Sequence, residues 1–156
     1  MTTRLIVVVA ILSVQGIAED PPVGIALESA TVKSGRKGAV KLSVTIPPGR
    51  QAAGLNWVLR YPPPVIEDMV VRAGPAADAA QKSLKCRPLP GEVKCVLFGL
   101  NTNVIASGTL ATVTFRVRKG LAKSSADIQV TDLVVASPSG SSVPCSASNG
   151  SISVRK

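Results

Sequence analysis

The chain has 156 residues, a formal net charge of +9 and no histidine. Without histidine the commonest general base is absent, and neither a Ser-His-Asp nor a Cys-His arrangement can form. The nine acidic residues are scattered, which disfavours the paired carboxylates of glycoside hydrolysis, and there is no Cys-x-x-Cys spacing for a metal. The composition therefore argues against an enzyme, and we expect no catalytic residue, no metal site and no cofactor.

The positive charge indicates which kinds of partner the chain attracts. A basic balance suits nucleic acid, anionic cell-surface polymers or an acidic protein. The basic residues are spread along the sequence, however, with no run longer than a pair such as Arg36-Lys37, and only four residues are aromatic. Because single-stranded nucleic acids stack their bases on aromatic side chains, we expect a generally basic, solvated surface and no nucleic acid partner.

The first eighteen residues have the pattern of a secretory signal peptide. Arg4 supplies a positive charge, residues 5–14 form an apolar stretch broken only by Ser13, and Gly16-Ile17-Ala18 offers small residues for cleavage. A membrane anchor is the alternative, but it would need about twenty apolar residues. We therefore expect cleavage of residues 1–18 after Ala18. Residues 19–156 would then form one domain without a membrane span, secreted to the extracellular space or the periplasm.

Three cysteines in an exported chain suggest one disulfide bond and one unpaired thiol. Cys86 and Cys95 flank a segment that contains the turn signal Pro90-Gly91. A bond between them would close a hairpin loop and stabilise the fold by about 2–3 kcal/mol. We expect this pairing, although Cys145, in a Ser/Pro-rich loop, is an alternative partner for either cysteine.

Short apolar runs alternate with turn residues along the rest of the chain. We expect strands at residues 23–30, 40–46, 55–61, 65–73, 93–100, 108–120, 126–136 and 151–154, and a helix-prone stretch at 75–82. In the clearest strand, 108–120, positions 111, 113, 115 and 117 are apolar, and positions 112, 114, 116 and 118 are threonine or arginine. This alternation is typical of an antiparallel sheet with one buried face. The series indicates an all-β antiparallel sandwich or barrel.

Four segments, taken in order, resemble the cohesin domain, over residues 23 to 155. They are a glycine turn with a valine-rich strand (35–46), a strand ending in tyrosine (53–61), the alternating strand (105–117) and a closing Asn-Gly strand (149–154). Pro62 stands where the family has aspartate after that tyrosine. The resemblance implies a jelly-roll β-sandwich of about nine strands. It also implies a secreted module that docks dockerin-bearing proteins in cellulosome-type assemblies.

The resemblance also implies a binding face, because cohesins use the outward residues of one sheet to pack partner helices. Val58 and Val96 are apolar at positions expected to face outward, as at the centre of an interface with polar surroundings. The alternatives are that another layer of chain covers these valines or that the inward and outward positions are exchanged. The matching residues in this sequence are Asn56, Val58, Arg60, Lys94, Val96, Gln129, Thr131 and Asp132.

We therefore expect a non-catalytic module that binds a dockerin-like or other extracellular protein, in polysaccharide breakdown or surface attachment. Calcium would belong to the partner. One alternative is a carbohydrate-binding module, which would expose Trp57 or Phe98 on a sheet face. Alternation assigns Trp57, Tyr61 and Phe115 to the core and leaves Phe98 ambiguous. The other alternative is a structural or adhesion subunit that pairs through an open edge strand.

Overall fold

The computed structural model describes residues 19–156, and the expected signal peptide, residues 1–18, lies outside the described residues. Twelve strands and one short helix form in this part of the chain. They are β1 (Val23–Leu27), β2 (Ala30–Lys33), β3 (Lys37–Thr45), β4 (Gly54–Arg60), β5 (Ile66–Ala73), α1 (Pro75–Ala79), β6 (Ser83–Leu89), β7 (Glu92–Phe98), β8 (Gly108–Val117), β9 (Ser124–Ala136), β10 (Ser142–Val143), β11 (Cys145–Ser148) and β12 (Gly150–Arg155).

The strands form two sheets with a hydrophobic core between them. One sheet has five strands in the order β11-β1-β3-β8-β5, and the other has the order β2-β12-β9-β4-β7-β6, with β10 paired to β9. Neighbouring strands are antiparallel except for β1 with β11 and β2 with β12. The predicted antiparallel β-sandwich is therefore confirmed. No helix within residues 19–156 is long and apolar enough to span a membrane.

The count of about nine strands was too low, for physical reasons that differ from place to place. The expected strand at 23–30 is split, because β1 belongs to the five-stranded sheet and β2 crosses to the other sheet. The strand β6 contains lysine, arginine and proline and lacks a strong apolar alternation. The strands β10 and β11 are short and lie in a Ser/Pro-rich segment. The helix-prone stretch does form a helix, limited to α1.

The inner face of β8 supplies the centre of the core. The alternation predicted for this strand is confirmed, because positions 111, 113, 115 and 117 are buried and the threonines between them are half-exposed. Phe115 and Trp57 are the largest fully buried side chains. Glycine is required at position 38 of β3, because a Cβ there would lie 2.7 Å from the Phe115 ring and from Val32. The core therefore contains two of the four aromatic residues of the sequence.

The long strand β9 joins two parts of the larger sheet. It has 13 residues, of which 124–128 pair with β12 and 129–136 pair with β4. The outer surface of this sheet consequently has two regions, one at each end of β9.

Candidate functional site

The outer surface of β9, β4, β7 and β6, called here the four-strand face, contains the residues that the sequence singled out. In antiparallel sheets, residues directly opposite one another share a face. Asn56 lies opposite Val96 and Val134. Val58 lies opposite Lys94 and Thr131, and Arg60 lies opposite Glu92 and Gln129. Seven of the eight expected residues therefore belong to three adjacent rows.

The eighth residue, Asp132, reaches this face through an irregularity in β9. The register between β4 and β9 shifts between Asn56 and Val58, and Asp132 has a positive φ of 52°. A bulge of this kind inserts an extra residue and redirects a side chain. The Asp132 carboxylate lies 3.4 Å from the Arg60 guanidinium. The bulge thus adds a negative charge to the row of Arg60.

Ion pairs connect the charged residues of the four-strand face. Arg60 Nε lies 3.6 Å from Glu92, and Lys94 Nζ lies 3.4 Å from the other oxygen of the same carboxylate. Arg60 and Lys94 are about half-exposed, so each pair contributes at most about 1 kcal/mol to stability. Their structural effect is to orient long side chains across the sheet surface.

The expected exposure of Val58 was wrong. Its side chain points outward, since the flanking Trp57 and Leu59 belong to the core cluster and Val58 does not, but it is only 6% exposed. Its cross-strand neighbours are Lys94 and Thr131, and the Thr131 hydroxyl is itself buried without a hydrogen-bond partner. A short branched residue in a central strand is covered by the longer side chains around it. Val58 therefore contributes almost no exposed apolar surface to the four-strand face.

Three other side chains supply the exposed apolar surface, called here the apolar patch: Val96, Phe98 and Val134. Their exposed fractions are 46%, 43% and 48%. Val96 and Val134 lie on either side of Asn56, and Phe98 follows Val96 by two residues on the same side of β7. Phe98, which the alternation left ambiguous, is therefore outside the core. Val134 was missed, because the bulge at Asp132 exchanges the inward and outward positions of the second half of β9.

A firmly held loop, residues 99–107, continues from the end of β7. The buried Lys82 ammonium donates hydrogen bonds to Asn101 Oδ1 at 2.7 Å and to the Asn101 carbonyl at 3.1 Å. Asn101 Nδ2 in turn donates to the Gln81 carbonyl at 3.1 Å. Burial lowers the pKa of Lys82 below its ordinary value. These bonds fix a loop that exposes Leu100 and Val104.

Tyr61, directly after β4, marks the opposite end of this face. Its side chain is half-buried and packs against the core cluster. Burial is the main cause that raises the pKa of the Tyr61 hydroxyl, and the negative charge of Asp68 adds to it.

A disulfide bond joins Cys86 of β6 to Cys95 of β7, which are directly opposite in register. Cys95 is buried in the core, and Cys86 is half-buried against it. Cys145 has a free thiol whose Sγ lies 3.6 Å from the Leu133 carbonyl oxygen. Across residues 19–156, no group of three or more acidic or cysteine side chains has the arrangement to hold a metal ion.

The outer surface of the five-stranded sheet has a different character. Thr112 lies between Lys41 and Arg72, and Thr114 lies between Ala39 and Val70. Val70 is the one large hydrophobic residue exposed on the strands of this face, within residues 19–156. Charged and hydroxyl side chains therefore dominate this surface.

The molecule is thus an antiparallel β-sandwich in which one outer face combines exposed apolar and charged side chains. The cohesin domain family model matches residues 23–154, so the chain belongs to the cohesin family. No curated protein sequence matches the chain.

Solved structures show the same fold at low sequence identity. A non-cellulosomal cohesin from the hyperthermophilic archaeon Archaeoglobus fulgidus is 20% identical, with a TM-score of 0.74 over 87% of this chain and 93% of that one. The type I cohesin–dockerin complex Coh-OlpC-Doc435 of Clostridium thermocellum matches with 15% identity and a TM-score of 0.76, over 88% and 96%. The sixth cohesin of Acetivibrio cellulolyticus scaffoldin B, in complex with a Cel5 dockerin mutant, is 13% identical to this chain. Its TM-score is 0.73, over 86% of this chain and 100% of that one.

Proposed function

We propose that this protein is a non-catalytic docking module that binds a dockerin-like protein on the four-strand face. The observation that carries the proposal is the apolar patch, since three large apolar side chains lie exposed together beside charged residues. Protein interfaces commonly combine an apolar centre with a polar rim. Two of the structural neighbours are cohesins in complexes with dockerins, which further supports a partner of this kind.

The mechanism is binding by a preformed surface. Sheet ladders, the Cys86–Cys95 bond and the Lys82 hydrogen bonds fix the surroundings of the patch before a partner arrives. A rigid surface loses little conformational entropy on binding, so more of the contact energy appears as affinity. In this proposal Val96 and Phe98 are the anchors, and Arg60, Lys94 and Asp132 form the rim that fixes orientation.

We also propose that the protein acts outside the cytoplasm. The pattern of residues 1–18 and the disulfide bond both favour an exported protein. The archaeal neighbour is described as non-cellulosomal. Polysaccharide breakdown and surface attachment are therefore both suitable settings for this module.

One observation favours a second function, direct carbohydrate binding, because Phe98 is an exposed aromatic ring on a sheet face. Trp57 and Phe115 are buried, however, and Tyr61 is half-buried. A flat strip of aromatic side chains for sugar rings is therefore absent from residues 19–156. Protein docking accounts better for a phenylalanine that shares its surface with two valines.

The experiment compares two valines of equal exposure on opposite sheets. Val96 is 46% exposed within the apolar patch, and Val70 is 47% exposed on the five-stranded sheet. The purified chain from residue 19, with the disulfide intact, would be titrated with the dockerin modules that the source organism encodes, in calcium and again in a chelator. We expect Val96→Lys to weaken binding at least about 30-fold, as for a central anchor, and Val70→Lys to leave it unchanged.

The chelator should abolish binding, because the calcium would belong to the partner. The dockerin proposal fails if no such dockerin exists or none binds. The assignment of the face fails if Val96→Lys binds as well as the unmodified chain. Val58 is unsuitable for this test, because a charge at that buried position would disturb the fold.

A further inference from the structure

Basic residues that are scattered in the sequence meet at one end of the sandwich. The turn after β2, the connection after β8 and the end of β12 come together there. The Ser34 amide donates to the Arg155 carbonyl at 2.8 Å, the Gly35 amide to the Arg118 carbonyl at 3.2 Å, and the Leu121 amide to Ser34 Oγ at 3.1 Å. The exposed cations of these segments, called here the basic end, are Lys33, Arg36, Lys119, Lys123, Arg155 and Lys156.

The cations of the basic end lack neutralising partners in the part of the chain that the structure describes. The ion pairs of residues 19–156 involve Arg60, Lys94, Arg116 and Arg118, and no member of the basic end. Arg118, at the start of the connection after β8, pairs with Glu67 at 3.0 Å and is therefore not counted in the basic end. The positive charge of the basic end is therefore not neutralised by ion pairs within residues 19–156 and is available to a partner.

A row of hydroxyl groups lies beside these cations. Ser153 of β12 is opposite Thr31 of β2 on one side and Ser125 of β9 on the other. All three side chains are exposed on the outer face of the larger sheet. The next outward position of β12 is Arg155, which is opposite Lys33.

The hydroxyl row, Arg155 and Lys123 line a shallow cavity of about 500 Å³. Its lining contains no carboxylate, and the acid closest along the strand, Asp127, lies one row further away opposite Ser151. The cavity thus offers positive charge on one side and neutral hydrogen-bonding groups on the other.

We propose that the basic end binds an acidic polysaccharide, a polymer that carries carboxylate or sulfate groups together with free hydroxyls. Lysine and arginine form charge-assisted hydrogen bonds with the acid groups, while serine and threonine hydroxyls both donate to and accept from sugar hydroxyls. Single-stranded nucleic acid fits less well. Base stacking needs aromatic side chains, and the exposed Phe98 lies near the other end of the larger sheet. This site is independent of the four-strand face.

The test uses the chain from residue 19 and four polymers: polygalacturonate, dextran sulfate, neutral dextran and duplex DNA. We expect binding to one or both acidic polysaccharides, weakened by added salt, and no binding to dextran. The two acidic polymers distinguish carboxylate from sulfate as the recognised group. Tighter binding of DNA than of both acidic polysaccharides, or equal binding of dextran, would overturn the proposal.

Matched variants separate a site from overall charge. Lys123→Glu with Arg155→Glu should reduce the affinity for the acidic polysaccharide at least tenfold. Lys85→Glu with Arg87→Glu makes the same change of net charge on β6 and should change the affinity less than twofold. Equal losses from the two pairs would refute a localised site.

Two further variants test the hydroxyl row and the independence of the two surfaces. Ser153→Ala should weaken binding of the polysaccharide and leave binding of polyglutamate, an anion without sugar hydroxyls, unchanged. A loss for both polymers, or for neither, would remove the hydroxyl row from the site. Val96→Lys should leave polysaccharide binding intact, so the failure of protein docking and the failure of this proposal give different results.

Discussion

The two outer faces of the sandwich are built on the same alternation and differ in what they present to solvent. On both sheets the inward positions are apolar and form one core. The outward positions of the five-stranded sheet are mostly threonine, lysine and arginine, as in the row of Lys41, Thr112 and Arg72. The four-strand face instead exposes Val96, Phe98 and Val134. The core therefore defines the fold, and the outward positions distinguish a binding face from a solvated one.

Two equally exposed valines show that grouping is more informative than exposure. Val70 is bordered by Thr114 across the strand, with Asp68 and Arg72 two residues away on either side. Single apolar residues of this kind are ordinary on protein surfaces. Val96 is equally exposed, but Phe98 and Val134 extend the apolar surface around it. Only the second arrangement offers a partner several apolar side chains on one surface, with Asn56 between Val96 and Val134.

The largest expected effect tests whether Phe98 is truly a surface residue. Phe115→Ala should lower the free energy of unfolding by about 3–5 kcal/mol, because it empties a fully buried site in the core. Phe98→Ala should change it by less than about 0.5 kcal/mol, as expected for an exposed position. Denaturant unfolding of both variants measures the two values. Similar losses would place Phe98 in the packed interior and remove the difference between the faces.

A second prediction concerns the disulfide bond, which reinforces only the larger sheet. Reduction of Cys86–Cys95 should lower the free energy of unfolding by about 2–3 kcal/mol, because an open chain has more freedom when unfolded. Amide hydrogen exchange should then accelerate in β6 more than in β3 or β8. A variant with alanine at both positions serves as the control and should not respond to reductant. An unchanged denaturation midpoint in the reduced native chain would contradict this prediction.

The smallest effect concerns Lys82, the charged residue buried in the described part of the chain, which holds the loop beside the four-strand face. Its pKa is lowered in the folded state, whereas the unfolded chain has the ordinary value of 10.5. Between these two values the unfolded chain binds more protons, so the free energy of unfolding rises with pH in that window. Below the lowered pKa, Lys82 is protonated in both states, so the free energy of unfolding no longer changes with pH through this group. Lys82→Met should abolish the rise, and Lys85→Met, at an exposed lysine, should keep it.

Denaturant unfolding of the unmodified chain and both variants, from pH 8 to pH 10, measures the slope of the free energy of unfolding against pH. An identical slope in Lys82→Met and the unmodified chain would mean that Lys82 stays protonated throughout this range.

The fold could be predicted because simple alternation decides which side chains face inward. The residues of β8 follow a period of two without interruption, and the structure buries the expected positions. The missed features depend on interactions that alternation ignores. The outward position of Val134 was not predicted, because β9 has a bulge at Asp132, where φ is positive. The strand β6 was not predicted, because this edge strand contains lysine, arginine and Pro88 and has little apolar alternation.

The candidate site was only partly accessible from the sequence, because surfaces form between segments that are distant along the chain. The sequence identified three of the four strands of the four-strand face, β4, β7 and β9, but did not indicate that Lys94 and Thr131 flank Val58. The basic end is a clearer case. Lys33 and Arg155 are 122 positions apart in sequence and lie side by side in the sheet. The parallel pairing of β2 with β12 brings these two residues together, and no local sequence pattern predicts that pairing.

The continuity of β9 has a mechanical consequence if both proposed surfaces are occupied. Its first residues lie beside the basic end, and its last residues form part of the four-strand face. A pull between a bound polysaccharide and a docked protein would act along this one strand. Its ladder bonds to β12 and β4 would then be loaded together, in shear, rather than opened one after another. The module would behave as a tether whose strength depends on the whole length of a single strand.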